Sequence, residues 1–227
     1  MQSVKASENR IKVLIVDDHP VVREALIKTI NAQLDMVVCG EAATADEVYK
    51  LIPETNPTVV LMDIMLTDTH GLDLMQNLHS VYPELRVVIF SMYDEAVYAE
   101  RAIRAGAHGY VMKSEPMRTV LEAIRQAAQN EIYLSVSMAS RIFNKLAGGR
   151  KAGPGFAIDL LTDRELEVFQ LLGQGYSIPE IMERLHLSRK TVETYRRRAK
   201  EKLGFDSVSE LLQFAVQWAC GRAPLNI

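Results

Sequence analysis

A doubly wound parallel α/β domain followed by a smaller all-helical one is the fold class this sequence predicts, on three observations. Over about the first 130 residues, short apolar runs alternate with amphipathic segments five times. Gly148–Gly155 then places four glycines and one proline in eight residues, the composition of a flexible linker. Beyond it every apolar pattern has a helical period, and one stretch is strongly basic.

The elements follow in order. Ile11–Val16 is a short apolar strand ending in Asp17-Asp18-His19-Pro20, and Pro20 suits the first turn of a helix. Val21, Val22, Ala25, Leu26, Thr29 and Ile30 recur at helical spacing after it. Met36–Ala42 reads as a second strand, and Ala45–Ile52 as a helix stopped by Pro53. Val59-Val60-Leu61-Met62 is an unbroken apolar run that stops at Asp63, the pattern of a strand buried on both faces. A helix over 71–79, a strand over Arg86–Ser91, a helix over 95–105, a strand over Gly109–Met112 and a helix over 115–129 complete the pattern. Such an alternation predicts a parallel sheet of flavodoxin-like type. A further helix is expected over 133–146.

In the second domain, Thr162 with Glu165 forms a capping box before a helix that carries Leu166, Phe169 and Leu172. Helices over 177–185, from Ser188 to Leu203, and from Ser207 onward follow, with only His186-Leu187 between the first two. Two helices joined by so short a turn, the second of them basic, form a helix-turn-helix signature.

Composition narrows the function classes. At 48% apolar residues the 227-residue chain can build real cores, and no apolar run approaches the roughly 20 residues a membrane span needs. The first twelve residues carry no apolar export signal, and two cysteines, Cys39 and Cys220, suggest no disulfide framework. The expected compartment is therefore the reducing cytoplasm. Net charge is −3, but its distribution is uneven: up to Asn130 there are 18 acidic against 12 basic residues, whereas Ser188–Leu203 holds seven basic against two acidic. That local excess points to nucleic acid.

The strand ends carry the chemistry. Parallel strands bring Asp17-Asp18, Asp63, Ser91 and Lys113 to one rim of the sheet, where open α/β sheets bind ligands. Three carboxylates at one place repel one another and are costly to desolvate. A hard divalent cation, Mg²⁺ above all, relieves that cost. Asp63 is then a carboxylate nucleophile towards phosphorus, Lys113 neutralises one phosphoryl oxygen, and the Ser91 hydroxyl bonds another. Phosphoryl transfer requires mostly this positioning and electrostatics.

This constellation resembles the receiver domain of bacterial two-component response regulators. Asp63 stands 28 residues before Ser91 and 50 before Lys113, and Tyr110 lies three residues before the lysine. The resemblance implies a phosphoryl acceptor at Asp63 and Mg²⁺ held by Asp18 directly, by Asp17 through water and by the Met65 carbonyl. It also implies a switch in which Ser91 moves onto the phosphoryl group while the Tyr110 ring turns inward. Two positions depart from the family pattern. Thr67 stands where Pro is usual, restoring an N–H and φ freedom, and Ser114 rather than Pro follows Lys113.

Leu161-Thr-Asp-Arg-Glu165, Gly175, Ile181, Leu187-Ser188, Thr191-Val192 and Lys202-Leu203-Gly204 resemble the LuxR-type helix-turn-helix, with Tyr195 where the family often has His. The whole chain thus resembles a NarL/FixJ-family response regulator. The implied division is a receiver over 1–130, a linker with a helix over 131–158, and a LuxR-type DNA-binding domain over 159–227. The implied partners are a sensor histidine kinase, double-stranded DNA and, on phosphorylation, a second copy of the chain; RNA polymerase is admitted as a further one. At about 100° per residue, Val192, Ala199 and Leu203 share the inward face of the basic helix, with Tyr195 or Arg196 beside it. Lys190, Glu193, Thr194, Arg197 and Glu201 lie opposite, towards a major groove. Arg196-Arg197-Arg198 sweeps roughly 200° around the axis, so all three cannot read bases. Arg197 is assigned to the groove, and Arg196, Arg198 and Lys200 to phosphates, which position without specifying.

Two rival readings remain. An aspartyl-phosphate hydrolase or mutase of the haloacid-dehalogenase kind also uses Asp, Lys and Mg²⁺, but it needs an acid two residues after the nucleophile, where this chain has Met65. A receiver-like interaction module that never meets phosphate would have no need of the full Asp17, Asp18, Asp63, Ser91 and Lys113 set. The expectation is a regulator rather than an enzyme.

Overall fold

The structure, a computed structural model, describes residues 10–67, 69–146 and 158–220. The chain divides into two compact units, Met1–Ala147 and Gly148–Ile227.

In the first unit five parallel strands, β1 (Ile11–Val16), β2 (Met36–Ala42), β3 (Val59–Met62), β4 (Arg86–Ser91) and β5 (Gly109–Met112), lie in the order β2-β1-β3-β4-β5. The register pairs Val16 with Met62, Met62 with Ile89, and Ser91 with Met112, so the strands end almost level. Five helices alternate with them: α1 (Pro20–Asn31), α2 (Ala45–Thr55), α3 (Gly71–Val81), α4 (Glu95–Arg104) and α5 (Met117–Ala128).

Because side chains alternate across a strand, the apolar runs fill both faces of the sheet. Val13, Ile15, Val59, Leu61, Val88, Phe90 and Val111 form one core with Leu26 and Ile30 of α1 and Val120, Ile124 and Ala127 of α5. Leu14, Val16, Val60, Met62, Ile89 and Tyr110 are buried on the other face. There Gly40 lies against Leu14 and Leu51 of α2. At roughly 25 cal/mol per Å² of apolar surface removed from water, such two-sided burial is the main source of this unit's stability.

Three local expectations are corrected. α2 runs through Pro53 to Thr55 and ends at Asn56 in the left-handed conformation, where the Asn56 N–H bonds the Ile52 carbonyl. A proline three residues from a helix end removes one internal bond without stopping the last turn. α5 starts at Met117 rather than 115. The expected helix over 133–146 begins only at Val136, giving α6 (Val136–Leu146). Tyr133 instead forms a parallel bridge to Gly109, its N–H donating to the His108 carbonyl at 2.8 Å. Gly109 favours that close approach, since a Cβ there would press on Tyr133. Ser135 and Ser137 flank the first residue of α6, and their hydroxyls both donate to Glu95 Oε1 at the head of α4.

Among the described residues the second unit contains a 3₁₀ turn over Ile158–Leu160 and four helices: α7 (Asp163–Gly173), α8 (Ile178–Leu185), α9 (Arg189–Lys202) and α10 (Val208–Ala219). Thr162 and Glu165 form the expected capping box, and Ser188 and Ser207 cap α9 and α10. The ring of Phe214 packs tilted against Phe169 at 5.8 Å between centroids, and that of Trp218 packs edge-on at 5.6 Å. Gly173 lies so close to the Ala215 carbonyl that a Cβ would overlap it. Among the described residues no helix is long and apolar enough to cross a membrane.

Candidate functional site

The carboxyl-terminal rim of the sheet gathers the residues singled out in the sequence. β1 leads into Asp17, Asp18 and His19 before Pro20 opens α1; β3 leads into Asp63; β4 ends in Ser91; β5 runs into Lys113. Asp17 and Asp63 are 1% and 5% exposed. Lys113 Nζ donates to Asp63 Oδ2 at 2.6 Å and forms an ion pair with Asp17 Oδ2, also at 2.6 Å. Asp63 Oδ1 accepts from the Met65 N–H at 3.3 Å.

Burial pushes the Asp63 carboxyl above the usual carboxylate range; Lys113 opposes that shift and Asp17 adds to it. For Lys113 burial works against the cation, but Asp63 and Asp17 together outweigh it and hold the ammonium above an ordinary lysine. One ammonium therefore serves two buried carboxylates, with a third beside them.

That third group, Asp18, is held from both sides. Thr67 Oγ1 donates to its Oδ2 at 3.1 Å. His19 Nδ1 lies 2.6 Å from its Oδ1. Asp17, Asp18, His19 and Asp63 each bring one ligand atom to within 4.8 Å of the others. Asp17 Oδ2 and Asp18 Oδ1 are buried, and each has a single nitrogen beside it, Lys113 Nζ and His19 Nδ1. Buried oxygens of this kind demand compensation, and a hard divalent cation with a preference for carboxylate oxygens supplies it. The residues present fit Mg²⁺.

Ser91 is fully buried, its Oγ accepting from the Tyr93 N–H at 3.4 Å. The Tyr110 ring is also inside, with its hydroxyl donating to the Tyr93 carbonyl at 2.9 Å. Burial pushes that hydroxyl far above an ordinary tyrosine, so it remains a donor. Gly71 closes the loop after Asp63: its N–H bonds the Ile64 carbonyl, and a Cβ would overlap the Asp63 carbonyl oxygen.

In the helical unit, α8 ends at His186 in the left-handed conformation, and Ser188 caps α9 by accepting from the Thr191 N–H at 3.2 Å. Val192 and Ala199 of α9 are buried, while Lys190, Arg197 and Arg198 are exposed and Glu193, Thr194, Arg196 and Lys200 half-buried. Arg197 pairs with Glu201 and Arg189 with Glu193, both at 2.9 Å. Lys200 Nζ donates to the Asp206 carbonyl at 3.0 Å. Lys202 reaches the buried Glu165 at 2.6 Å, and although burial works against ionisation there, that contact and the Thr162 cap hold the Glu165 carboxyl below its ordinary range. The tie from α9 to the head of α7 was not foreseen from the sequence, nor was the Thr67–Asp18 bond. Both join residues far apart in the chain, without a shared local pattern.

Residues 13–125 match the response regulator receiver domain family, and residues 159–215 the luxR family of bacterial regulatory proteins. The oxygen regulatory protein NreC of Staphylococcus aureus is 34% identical over 211 residues, covering 91% of this chain and 97% of that protein. Among solved structures, the response regulator ChrA of a heme-sensing two-component system is 28% identical with a TM-score of 0.51, covering 92% of this chain and 98% of that one. RcsB from Salmonella enterica serovar Typhimurium, bound to a promoter in the presence of a phosphomimetic, shares the fold at 23% identity with a TM-score of 0.62; the match covers 91% of this chain and 98% of that one. With a receiver fold at one end, a LuxR-type helix-turn-helix at the other and a relative matched along nearly its whole length, the chain belongs to the NarL/FixJ family of response regulators, which act as DNA-binding transcription regulators rather than as enzymes.

Proposed function

We propose that Asp63 accepts a phosphoryl group from a sensor histidine kinase, and that this event controls dimerisation and sequence-specific promoter binding through α9. The observation that carries the reading is the convergence of Asp17, Asp18, Asp63 and Lys113, with three carboxylates set around a single ammonium. An Asp63 oxygen forms the bond to phosphorus as the bond to the donor's imidazole nitrogen breaks. Lys113, already on Asp63 Oδ2, neutralises charge on the transferred group, and the Ser91 hydroxyl bonds one of its oxygens, with Tyr110 packed behind Ser91. Mg²⁺ held by Asp18, Asp63 and the Met65 carbonyl, with Asp17 through water, would screen the incoming phosphate from the carboxylates. The rival enzyme reading finds no acid two residues past Asp63, where Met65 stands.

On the DNA side, Lys190, Glu193, Thr194 and Arg197 face the major groove, and Arg196, Arg198 and Lys200 reach phosphates. The reading places the protein in the cytoplasm with double-stranded DNA, and with RNA polymerase as a further partner. RcsB, a structural neighbour, has been seen as dimers on DNA, which supports a homodimer on DNA here. Acetyl phosphate with Mg²⁺ should add one phosphoryl group, visible by intact-mass analysis, and Asp63→Asn should abolish it. Undiminished labelling of that variant would reject Asp63 as acceptor.

A further inference from the structure

We infer that Thr67 is a positioning residue for the cation site, orienting Asp18 so that one carboxylate oxygen faces the metal. The inference rests on the reading of the acidic pocket as a divalent cation site and adds a residue that no motif assigns.

The two oxygens of Asp18 have different surroundings. Oδ2 accepts the Thr67 hydroxyl at 3.1 Å, across 49 residues of sequence. Oδ1 is buried, with His19 Nδ1 2.6 Å away. The carboxylate is thus anchored through one oxygen, while the other lies beside His19, which with Asp17, Asp18 and Asp63 forms the acidic cluster. Asp18 has room to move, since its side chain is still 20% exposed. The hydroxyl bond restrains it before the cation arrives.

Thr67 also ties the loop after β3 to the loop after β1. The backbone between Asp63 and α3 is held by the Gly71–Ile64 bond and by a bond from the Leu66 N–H to the Thr69 carbonyl. Neither of these reaches the β1 side, whereas the Thr67 hydroxyl does. Hydrogen-bond partners that orient a ligand typically alter metal affinity by about 10- to 100-fold when removed. An exposed hydroxyl belongs at the lower end of that range.

Isothermal titration of the full-length protein with Mg²⁺ alone, with no phosphodonor, tests this. Thr67→Val, which keeps the shape and removes the hydroxyl, should weaken Mg²⁺ binding about tenfold, and Thr67→Ser should stay within about threefold of the parent. In acetyl phosphate labelling, the Mg²⁺ concentration for half-maximal loading of Thr67→Val should rise by the same factor. Its loading rate at saturating Mg²⁺ should remain that of the parent, because Thr67 touches no reacting atom. Unchanged or tighter Mg²⁺ binding by Thr67→Val would overturn the positioning role while leaving the pocket's assignment intact. A parent protein that binds no Mg²⁺ would instead overturn the cation site and this inference with it.

Discussion

Buried among Met65, Lys113 and Asp17, the Asp63 carboxyl holds its proton more tightly in the folded protein than in water. Ionising it therefore costs folding stability. The cost is fully present above the folded pKa and fades as pH falls through that value towards the unfolded one. In metal-free buffer, Asp63→Asn should be more stable than the parent at pH 7, by about 1 kcal/mol. The advantage should shrink on acidification. Urea unfolding across pH 4 to 8 measures this, and a variant that is less stable than the parent at pH 7 would mean that Lys113 outweighs burial. The variant that abolishes phosphorylation should thus be the better folded one, as expected where a charged site is maintained against stability. The strand-end carboxylates, Ser91 and Lys113 were legible because each sits at the end of an apolar run. Thr67 was legible only as a departure from a pattern, because its partner Asp18 lies on another strand's loop.

At the scale of elements, α9 presents two kinds of arginine. Arg197 is paired with Glu201 one turn on, while no hydrogen bond or ion pair engages the Arg196 or Arg198 side chain among the described residues. A surface i,i+4 pair contributes only about 0.3–0.5 kcal/mol, so DNA can recruit Arg197 from Glu201 at little cost. Arg198→Ala should weaken binding to all sequences alike and flatten the dependence of log K on log salt by about one unit. Arg197→Ala should in addition change sequence preference, with a loss of about 1–3 kcal/mol at the base it reads. Binding measured on a randomised duplex library at several salt concentrations separates the two; purely parallel weakening would reject Arg197 as the reader. The inward face of α9 was legible from its period, and Val192 and Ala199 are buried as expected, while Leu203 is only half-buried. The late start of α6 was not legible. Its serines close onto Glu95 and Tyr133 onto Gly109, and both contacts depend on where β5 and α4 lie.

For the whole molecule, phosphorylation should shift the chain from monomer to dimer on DNA carrying paired half-sites. Small-angle scattering with multi-angle light scattering across a concentration series, with and without acetyl phosphate, checks this. Equal mass in both states throughout would reject phosphorylation as the trigger of association. Asp63→Asn, unable to load, should remain monomeric under both conditions and still bind DNA weakly, since the α9 charges are untouched.

The sequence by itself determined the alternation of strands and helices, the sheet class, the rim on which the acidic residues meet and the basic helix behind its short turn. Each depends on periodicity or on residues at strand ends, and both are local properties of the chain. Tertiary structure alone decided that Asp17 and Asp63 share one ammonium, that Asp18 is anchored by Thr67, and that Lys202 secures α9 to the buried Glu165. Those are pairings across 37 to 96 residues of chain, and no local propensity encodes which long-range partner a polar side chain will find. The partner is fixed only once apolar burial has set the elements in place.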